Sequence, residues 1–301
     1  MTIRLGIVDC DTSHVVAFTE RLNHVGIAED QWVDGAQVLA AVPLPSLVSP
    51  ERVEPFTEKL RGYGIEILSL PEDLIGRVDG VLIEAVDGSV HLERALPFIE
   101  AGVPLWIDKP LTCSTAEART LVDAARRKGV PLLSASALRY DLSVQDVLAR
   151  RDELGAVLGV DAYTPATTHP RNPGLFHYAV HGVELVYGLM GPGCRRVRCV
   201  HTEGVDVAVG EWSDGRLGTV RGTRQGSYGL GFSAFCEKGV VTQTSSKYYY
   251  RELLKRIVEM FRAGISPMSD DELVEVVAFQ EAANLSMERD GQPVLLEELG
   301  R

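Results

Sequence analysis

Continuous apolar runs alternate with helix-like stretches over the first 138 residues of the chain. The runs "GVLI" (80–83) and "VPLWI" (103–107) show no alternation between apolar and polar positions. Strands that are buried on both faces have this pattern, so it predicts a parallel sheet with helices on each side. The predicted strands lie at 3–9, 36–43, 79–84, 104–107 and 131–135. The predicted helices lie near 13–25, 51–62, 88–101 and 114–128.

A different pattern begins at about residue 157. Strand-like segments follow one another with turn signals between them, and "SDG" (213–215) predicts a tight hairpin. Helices are predicted at about 175–189, 248–263 and 270–289. This order is typical of a mostly antiparallel sheet with helices on one face.

The two patterns together predict an α/β chain of two domains. Residues 1–138 are expected to form a Rossmann-like, dinucleotide-binding domain with a parallel sheet. Residues 139–301 are expected to form an α+β domain with an open, mostly antiparallel sheet.

Composition narrows the classes of function. The net charge of −12 and the absence of a long Lys/Arg run argue against a nucleic-acid-binding protein. No apolar run approaches the length of a membrane span. The five cysteines form no C-x-x-C pair, which favours a reduced compartment and disfavours a cysteine-based zinc site. Because the N-terminus enters a strand at once, without room for a signal peptide, we expect a cytoplasmic protein.

The stretch "LWIDKPLTCSTAEA" (105–118) places charged residues directly after a buried strand. The carboxyl ends of parallel strands line the crevice in which such sheets bind ligands. A lysine held there, as Lys109 would be, can donate to a substrate oxygen or exchange a proton with it. The alternative is a surface lysine paired with Asp108 beside a turn proline.

The stretch "GLFHYAVHGVELVYGLMG" (174–191) reads as a helix with His177, His181 and Glu184 on one face. Three interpretations compete. The residues belong to a half-buried helix with hydrogen-bonded histidines, or they bind a metal such as zinc, or one histidine is an acid/base group and the other orients a substrate.

A third stretch, "IEAVDGSVHLERAL" (83–96), carries another strand into a loop and a helix. Its polar residues Glu84, Asp87 and His91 would face the same crevice as Lys109. For His91 taken alone, a role at the helix start or in packing competes with a role in catalysis.

The opening stretch "RLGIVDCDTSH" (4–14) has the strand–turn–helix order of a dinucleotide-binding site without its glycines. The positions of the G-x-G-x-x-G fingerprint hold Asp9, Asp11 and His14. Two carboxylates would repel a pyrophosphate unless they turn away. Asp11, Thr12 or Ser13 is expected to cap the helix, and a capping carboxylate would occupy the amide groups that a phosphate uses.

The order of these parts resembles the glucose–fructose oxidoreductase / inositol dehydrogenase (Gfo/Idh/MocA) family. The shared parts are the first turn, "DKP" (108–110), "RY" (139–140), a helical H-x-x-x-H, and a late strand ending in "EKG" (237–239). The family's usual Glu-Lys-Pro is Asp-Lys-Pro here, and its D-x-x-x-H motif has His177 in place of the Asp. The "VDGSVH" loop resembles the family's "TPNxxH" loop.

The resemblance implies hydride transfer between NAD or NADP and a CH–OH carbon of a sugar, cyclitol or related polyol. Lys109 would polarise or protonate the reacting oxygen, and His181 would act as the acid/base partner, both on one reacting carbon. The expected substrate-binding residues are His177, Arg139, Tyr140, Arg171 and Asn172. The expected cofactor-binding residues are Asp11, Thr12, Ser13, His14, Glu84, Asp87, His91, Asp108 and Lys109.

Several alternatives remain open at this level. Arg171 and Asn172 could simply build a turn, while Ser46 or Arg52 could favour NADP. The altered glycines suit a binding protein that has lost its cofactor, and a lyase or isomerase could use the same residues without redox chemistry. The resemblance also implies that the domain over 139–301 binds a small-molecule substrate and mediates oligomerisation with further copies of the chain, in a homodimer or homotetramer. No metal is expected. Segments 229–235 and 247–253 are candidate interface pieces, with core packing as their alternative.

Overall fold

The computed structural model describes residues 2–226 and 228–300. It contains two compact units. The first unit comprises the chain up to Thr112 together with Thr120–Ala135 and Tyr250–Ser269, and the second comprises Cys113–Arg119, Ser136–Tyr249 and the chain from Asp270 onward.

Strands and helices follow one another along the chain as follows. The strands are β1 (Ile3–Val8), β2 (Ala36–Val42), β3 (Glu66–Ile67), β4 (Gly80–Ile83), β5 (Leu105–Ile107), β6 (Leu132–Leu133), β7 (Val157–Pro165), β8 (Cys194–His201), β9 (Val205–Trp212), β10 (Leu217–Thr223), β11 (Gly231–Cys236), β12 (Gly239–Gln243) and β13 (Val294–Leu295). The helices are α1 (His14–Leu22), α2 (Pro50–Gly62), α3 (His91–Glu100), α4 (Thr115–Lys128), α5 (Leu142–Ala149), α6 (Arg151–Leu154), α7 (Val180–Met190), α8 (Tyr249–Ala263) and α9 (Asp270–Glu288).

The first unit is built on a parallel sheet whose described strands have the order β3-β2-β1-β4-β5-β6. Every residue of β4 and β5 is buried, as continuous apolar strands covered on both faces should be. The predicted parallel sheet is therefore confirmed, with strand ends within two residues of their expected positions. The short β3 has too few residues to stand out as a pattern.

The second unit is built on a mixed sheet of order β12-β11-β7-β10-β9-β8-β13. β10 pairs with β7 in parallel, and the other described pairs are antiparallel. Burial alternates along β9. Helices pack on this sheet, with α7 against β7 and β10 and α9 against β8. The predicted mostly antiparallel sheet is confirmed, as is the hairpin at 213–215, where Gly215 has a φ of 88°.

Some observed boundaries differ from those expected. Tyr250–Ser269, which contains most of α8, belongs to the first unit, although its sequence position suggested the second. The helix expected over 175–189 begins only at Val180, because Gly174–Phe176 forms a separate 3₁₀ turn. Among the described residues, no helix has both the length and the apolar character needed to cross a membrane.

Candidate functional site

The turn after β1 is held by an aspartate in a backbone conformation that usually calls for glycine. Asp9 has a φ of 66°, so it supplies the tight turn that the first fingerprint glycine would otherwise make. Its side chain is buried, and Oδ2 lies 3.5 Å from Nε of Arg94. Burial raises the pKa of Asp9 to about 7, although Arg94 opposes the rise. The charge expected to repel a phosphate is therefore partly neutralised here.

Asp11 turns its carboxylate toward neighbouring loops rather than toward the helix. It accepts hydrogen bonds from Ser46 Oγ at 2.5 Å and from the Val86 backbone N–H at 2.9 Å. Burial raises its pKa, and these two bonds oppose the rise. One side chain thus joins the segments that follow β1, β2 and β4. Ser46 is engaged in this contact, which removes it as a candidate for selecting NADP.

The expectation that the "DTSH" segment caps α1 is met only by Thr12, because neither Asp11 nor Ser13 caps the helix. Ser13 stands at the N-cap position but makes no side-chain hydrogen bond to the helix. The Thr12 hydroxyl accepts only a long bond, 3.4 Å, from the His14 N–H. Because no carboxylate caps the helix, the amide groups of its first turn are not occupied by one.

His14 lies inside an aromatic cluster of the first unit. Its ring stacks on Phe18 at 5.1 Å and meets the edge of the Tyr250 ring at 5.1 Å. Its Nδ1 lies 3.0 Å from Asp108 Oδ2 and 3.9 Å from Glu84 Oε2. The third fingerprint position therefore carries a polar side chain that reaches the ends of β4 and β5. The contact of Tyr250 also gives part of the 247–253 segment a role in packing.

Glu84 and Asp108 follow β4 and β5 directly, and both side chains are 0% exposed. Neither Glu84 oxygen has a hydrogen-bond partner in the part of the chain that the structure describes. Burial, followed by the charge of Asp108, raises the pKa of Glu84 well above its usual value. Burial alone would raise the pKa of Asp108 too, but His14 and Lys109 outweigh it and hold that pKa below its ordinary value. Such buried side chains present no surface to a cofactor, which contradicts their expected role in direct cofactor contact.

Lys109 is positioned by the residue that precedes it. Its backbone N–H donates to Asp108 Oδ1 at 2.7 Å, and its Nζ lies 3.4 Å from Asp108 Oδ2. Its side chain is 11% exposed, and the Lys109–Pro110 bond is cis. The pairing with Asp108 that the simpler interpretation expected is present, but at a largely buried strand end rather than at the open surface.

The loop after β4 is held by Asp87 and His91. Asp87 accepts from the Ser89 N–H at 3.0 Å and from its hydroxyl at 2.6 Å, which caps a short 3₁₀ turn. The His91 ring is fully buried, with Nδ1 2.9 Å from the Pro110 oxygen and Nε2 2.9 Å from the Ala85 oxygen. His91 therefore joins this loop to the segment after β5. Direct cofactor contact, as expected from the sequence, is not available to an enclosed ring.

Arg139 is part of a buried ion cluster of the second unit, not of an open pocket. Its Nε donates to Glu184 at 2.5 Å and its Nη1 to Glu272 at 2.6 Å. Only 7% of its side chain is exposed. The expected substrate contact is therefore corrected to a structural role. Its neighbour Tyr140 is half-buried, and the backbone oxygen of Tyr140 accepts from Gln145.

His181 lies in the first turn of α7 and is half-buried. Its Nδ1 lies 2.6 Å from Ser136 Oγ, and its ring meets that of Tyr178 at 4.9 Å. His177 lies before the helix, with its ring 5.8 Å from that of His169. The two histidines are therefore not one helical turn apart on a continuous helix, as the sequence suggested.

The structure does not support the interpretation of the stretch 174–191 as a metal site. Glu184 is engaged with Arg139, and His177, His181 and Glu184 do not come together as a ligand set among the described residues. Arg171 and Asn172 lie in a turn closed by the bond from Asn172 N–H to the His169 oxygen. The turn role weighed for this pair is thus observed, and Asn172 is buried within it.

Sequence reasoning missed the contacts that support these side chains. Arg94, Ser46 and Ser136 each contact a predicted site residue, at Asp9, Asp11 and His181 respectively. Arg94 lies one helical turn after His91, which was the one signal available for it. The other two lie in loops, where the sequence shows no periodicity to mark a contact.

Comparison with known proteins now adds to the geometry. Residues 46–136 match the Gfo/Idh/MocA model, an oxidoreductase family with an NAD-binding Rossmann fold. The matched segment contains Glu84, Asp108 and Lys109. This part of the chain is similar to that family. The resemblance inferred from the order of motifs is thereby confirmed.

Among curated proteins, this chain is similar to inositol 2-dehydrogenase from Cereibacter sphaeroides. The two are 28% identical over 190 residues, which are 60% of this chain and 50% of that protein. The chain therefore spans about half the length of the curated relatives it matches.

Two solved structures share the fold of this chain. A probable dehydrogenase from Thermotoga maritima has a TM-score of 0.81 at 18% identity, with 99% of this chain and 100% of that chain covered. Myo-inositol dehydrogenase from Lactobacillus casei, in complex with NAD(H) and myo-inositol, has a TM-score of 0.79 at 16% identity, with 98% and 97% covered. At these identities the likeness is one of fold.

Proposed function

We propose that the protein is an NAD- or NADP-dependent oxidoreductase that acts on a CH–OH carbon of a sugar, cyclitol or related polyol. The observation that carries this proposal is the position of Lys109. It follows β5 within the family-matched segment, and Asp108 holds its backbone and its ammonium. The carboxyl end of a parallel strand is where such sheets bind ligands.

The residues of the first turn fit a dinucleotide despite the missing glycines. Asp9 adopts the glycine-like conformation and is offset by Arg94, while the Asp11 oxygens are engaged by Ser46 and Val86. The Ser13 side chain, at the N-cap position, does not cap the N-terminus of α1. Backbone amide groups at a helix N-terminus bind phosphate well, so this turn would hold the pyrophosphate.

A division of roles among the residues follows. Thr12, Ser13 and His14 border the helix N-terminus, and Asp87 lies in the loop after β4, so we assign these four to the side of the dinucleotide. A bound nicotinamide supplies or accepts the hydride. Lys109 donates a hydrogen bond to the reacting oxygen and thereby polarises it.

We assign the proton transfer to His181 of the second unit. Its Nδ1 lies 2.6 Å from Ser136 Oγ, which orients the ring, and the imidazole exchanges a proton with the substrate hydroxyl. His177, Tyr140 and Arg171 keep the proposed role of contacting the substrate.

The substrate class is supported by the names of the relatives. The curated relatives are inositol 2-dehydrogenases, and one solved structure holds myo-inositol. A polyol offers a vicinal set of hydroxyl groups, which suits recognition by several hydrogen-bonding side chains. We therefore place cyclitols and sugars first among candidate substrates.

We also propose that the protein is a homo-oligomer that pairs through the outer face of the second sheet. The register places Leu217, Phe235 and Val240 in one row across the sheet, with Gly159 between the first two. These three apolar side chains are 40% to 59% exposed. Contiguous exposed apolar side chains are typical of surfaces that bind another protein.

The experiment combines binding with turnover. NADH and NADPH are titrated separately by fluorescence, and inositols and sugars are then assayed with wild type, Lys109→Met and His181→Asn. We expect saturable binding of one dinucleotide and a loss of turnover of about 100-fold or more in each variant. Lys128→Met, a half-exposed lysine in the last turn of α4, is the matched control and should keep full activity.

The outcomes separate this proposal from its rivals. Turnover that survives both substitutions would reject the assignment of Lys109 and His181. Binding of a polyol without any dinucleotide would favour a binding protein that has lost its cofactor, which the acids at positions 9 and 11 would then explain. Turnover without added or co-purified nicotinamide would favour a lyase or isomerase.

A further inference from the structure

Three ligand-type side chains of the first unit converge at the carboxyl ends of its central strands. His14 comes from the start of α1, Glu84 from the end of β4 and Asp108 from the end of β5. One nitrogen or oxygen of each lies within 4.8 Å of the others, and all three residues are buried. They are 70 and 24 residues apart along the chain, so no sequence spacing could have marked them as a group.

The cluster is short of hydrogen bonds in the described structure. Glu84 is 0% exposed, and neither of its carboxylate oxygens has a hydrogen-bond partner. His14 Nδ1 lies 3.0 Å from Asp108 Oδ2, but not at hydrogen-bond geometry. Buried polar atoms are nearly always satisfied, and an unsatisfied group in a native protein points to a ligand, an ion or a water.

The distances within the cluster suit a shared cation. Nδ1 of His14 is 3.0 Å from the Asp108 oxygen and 3.9 Å from the Glu84 oxygen. A metal bound at about 2.0–2.2 Å to imidazole nitrogen and carboxylate oxygen separates its ligand atoms by about 3–3.5 Å. Small side-chain rotations would therefore bring the three atoms to one centre.

Charge points the same way. Two carboxyl groups that are removed from water are stable only if they are protonated or compensated by a counter-charge. Lys109 Nζ lies 3.4 Å from Asp108 Oδ2. Among the described residues, the only basic side-chain nitrogen within 4.0 Å of a Glu84 oxygen is His14 Nδ1, at 3.9 Å. Glu84 is thus the carboxylate left without a close cation.

We propose that His14, Glu84 and Asp108 form a binding site for a divalent transition-metal cation. The mixture of one imidazole and two carboxylates suits Zn²⁺, Mn²⁺, Fe²⁺ or Co²⁺ better than the all-oxygen preference of Ca²⁺. The aromatic rings around His14 would fix its orientation, and the N–H of Lys109 would fix that of Asp108. The site does not depend on the proposed dehydrogenase activity.

Cation binding at this site would release the Lys109 ammonium from Asp108. The cation and the Lys109 ammonium would both contact the same oxygen of Asp108, Oδ2, and two positive charges there would repel each other. Lys109→Met removes the competitor, so this variant should bind the metal at least as tightly as wild type.

The test uses Co²⁺ as the probe, on the full-length, tag-free protein after chelator treatment. Co²⁺ bound to imidazole and carboxylate has visible absorption that follows binding directly, without an activity assay. We expect saturation at one Co²⁺ per chain, with displacement by Zn²⁺. Glu84→Gln and His14→Gln should each weaken Co²⁺ binding by about 100-fold or more, since even the loss of a group that only orients a ligand costs about 10–100-fold.

The matched control is His24→Gln, which removes another histidine–aspartate pair of the same unit, 3.4 Å apart and partly exposed. Circular dichroism establishes that each variant is folded. Absence of a saturable Co²⁺ spectrum in wild type, or equal affinity in wild type and in folded Glu84→Gln, would overturn the proposal. Metal binding with no dinucleotide binding would uphold this site and reject the proposed function, so the two can fail separately.

Discussion

The substitution Asp9→Asn tests the account of the turn after β1. Asp9 is 4% exposed, has a φ of 66° and lies beside Arg94. Asparagine keeps the size of the side chain and is one of the residues that best tolerate a positive φ. It removes only the ionisable group, so any change in stability should follow the charge of residue 9.

The sign and size follow from the pKa of Asp9. Burial raises this pKa from 3.8 to about 7, so the folded protein holds a proton that the unfolded chain releases. Between about pH 4 and pH 7 the free energy of unfolding therefore falls as the pH rises. The full difference corresponds to about 4 kcal/mol, at about 1.4 kcal/mol per tenfold change in proton affinity. The asparagine of the variant does not titrate. The free energy of unfolding of the variant relative to wild type should therefore increase by up to about 4 kcal/mol between about pH 4 and pH 8.

The assay is urea unfolding of wild type and Asp9→Asn at pH 5 and pH 8. A Trp212→Phe background leaves Trp32 and Trp106, both in the first unit, so that fluorescence reports that unit alone. Asp73→Asn, an exposed aspartate of the same unit, is the control and should show no difference between the two pH values. An equal effect of Asp9→Asn at both pH values, or a loss of stability at pH 8, would refute the reasoning.

Two further predictions concern the second unit. Arg139→Met should lower the free energy of unfolding of the second unit by about 3–5 kcal/mol, because Glu184 and Glu272 lose their shared counter-charge. Trp212 fluorescence in urea measures this free energy. A decrease below about 1 kcal/mol would contradict the prediction. Phe235→Lys should shift the protein toward the monomer in light scattering after gel filtration. The control Leu47→Lys, at a 68% exposed position of the first unit, should leave the mass unchanged.

The parallel sheet of the first unit could be predicted from the sequence because burial on both faces leaves a continuous apolar signal. "GVLI" and "LWI" form β4 and β5 with every residue buried. The short helices α5 and α6 could not be predicted, because eight and four residues are too few to show a helical periodicity. The start of α7 was placed too early because a 3₁₀ turn at 174–176 has nearly the same spacing of apolar residues as a helix.

The residue types of the site could be predicted from the sequence, but the hydrogen-bond and ion-pair partners of those residues could not. Lys109 and Asp108 were found from their position after a strand, which the topology of parallel sheets makes informative. The role of Arg139 was missed because its two carboxylates lie 45 and 133 residues away, and a long-range pairing leaves no local pattern. The sequence suggested that Asp11 caps a helix, whereas in the folded chain its carboxylate accepts a hydrogen bond from the Val86 amide.

The contacts of Asp11 also restrict how this chain can vary. Its two oxygens reach a hydroxyl 35 positions later and an amide 75 positions later. Surface loops ordinarily tolerate insertions and deletions. Here a gained or lost residue in any of the three joined segments would pull the other two out of register with the shared aspartate. Homologues that retain this aspartate should therefore keep all three segments constant in length, even where their sequences diverge.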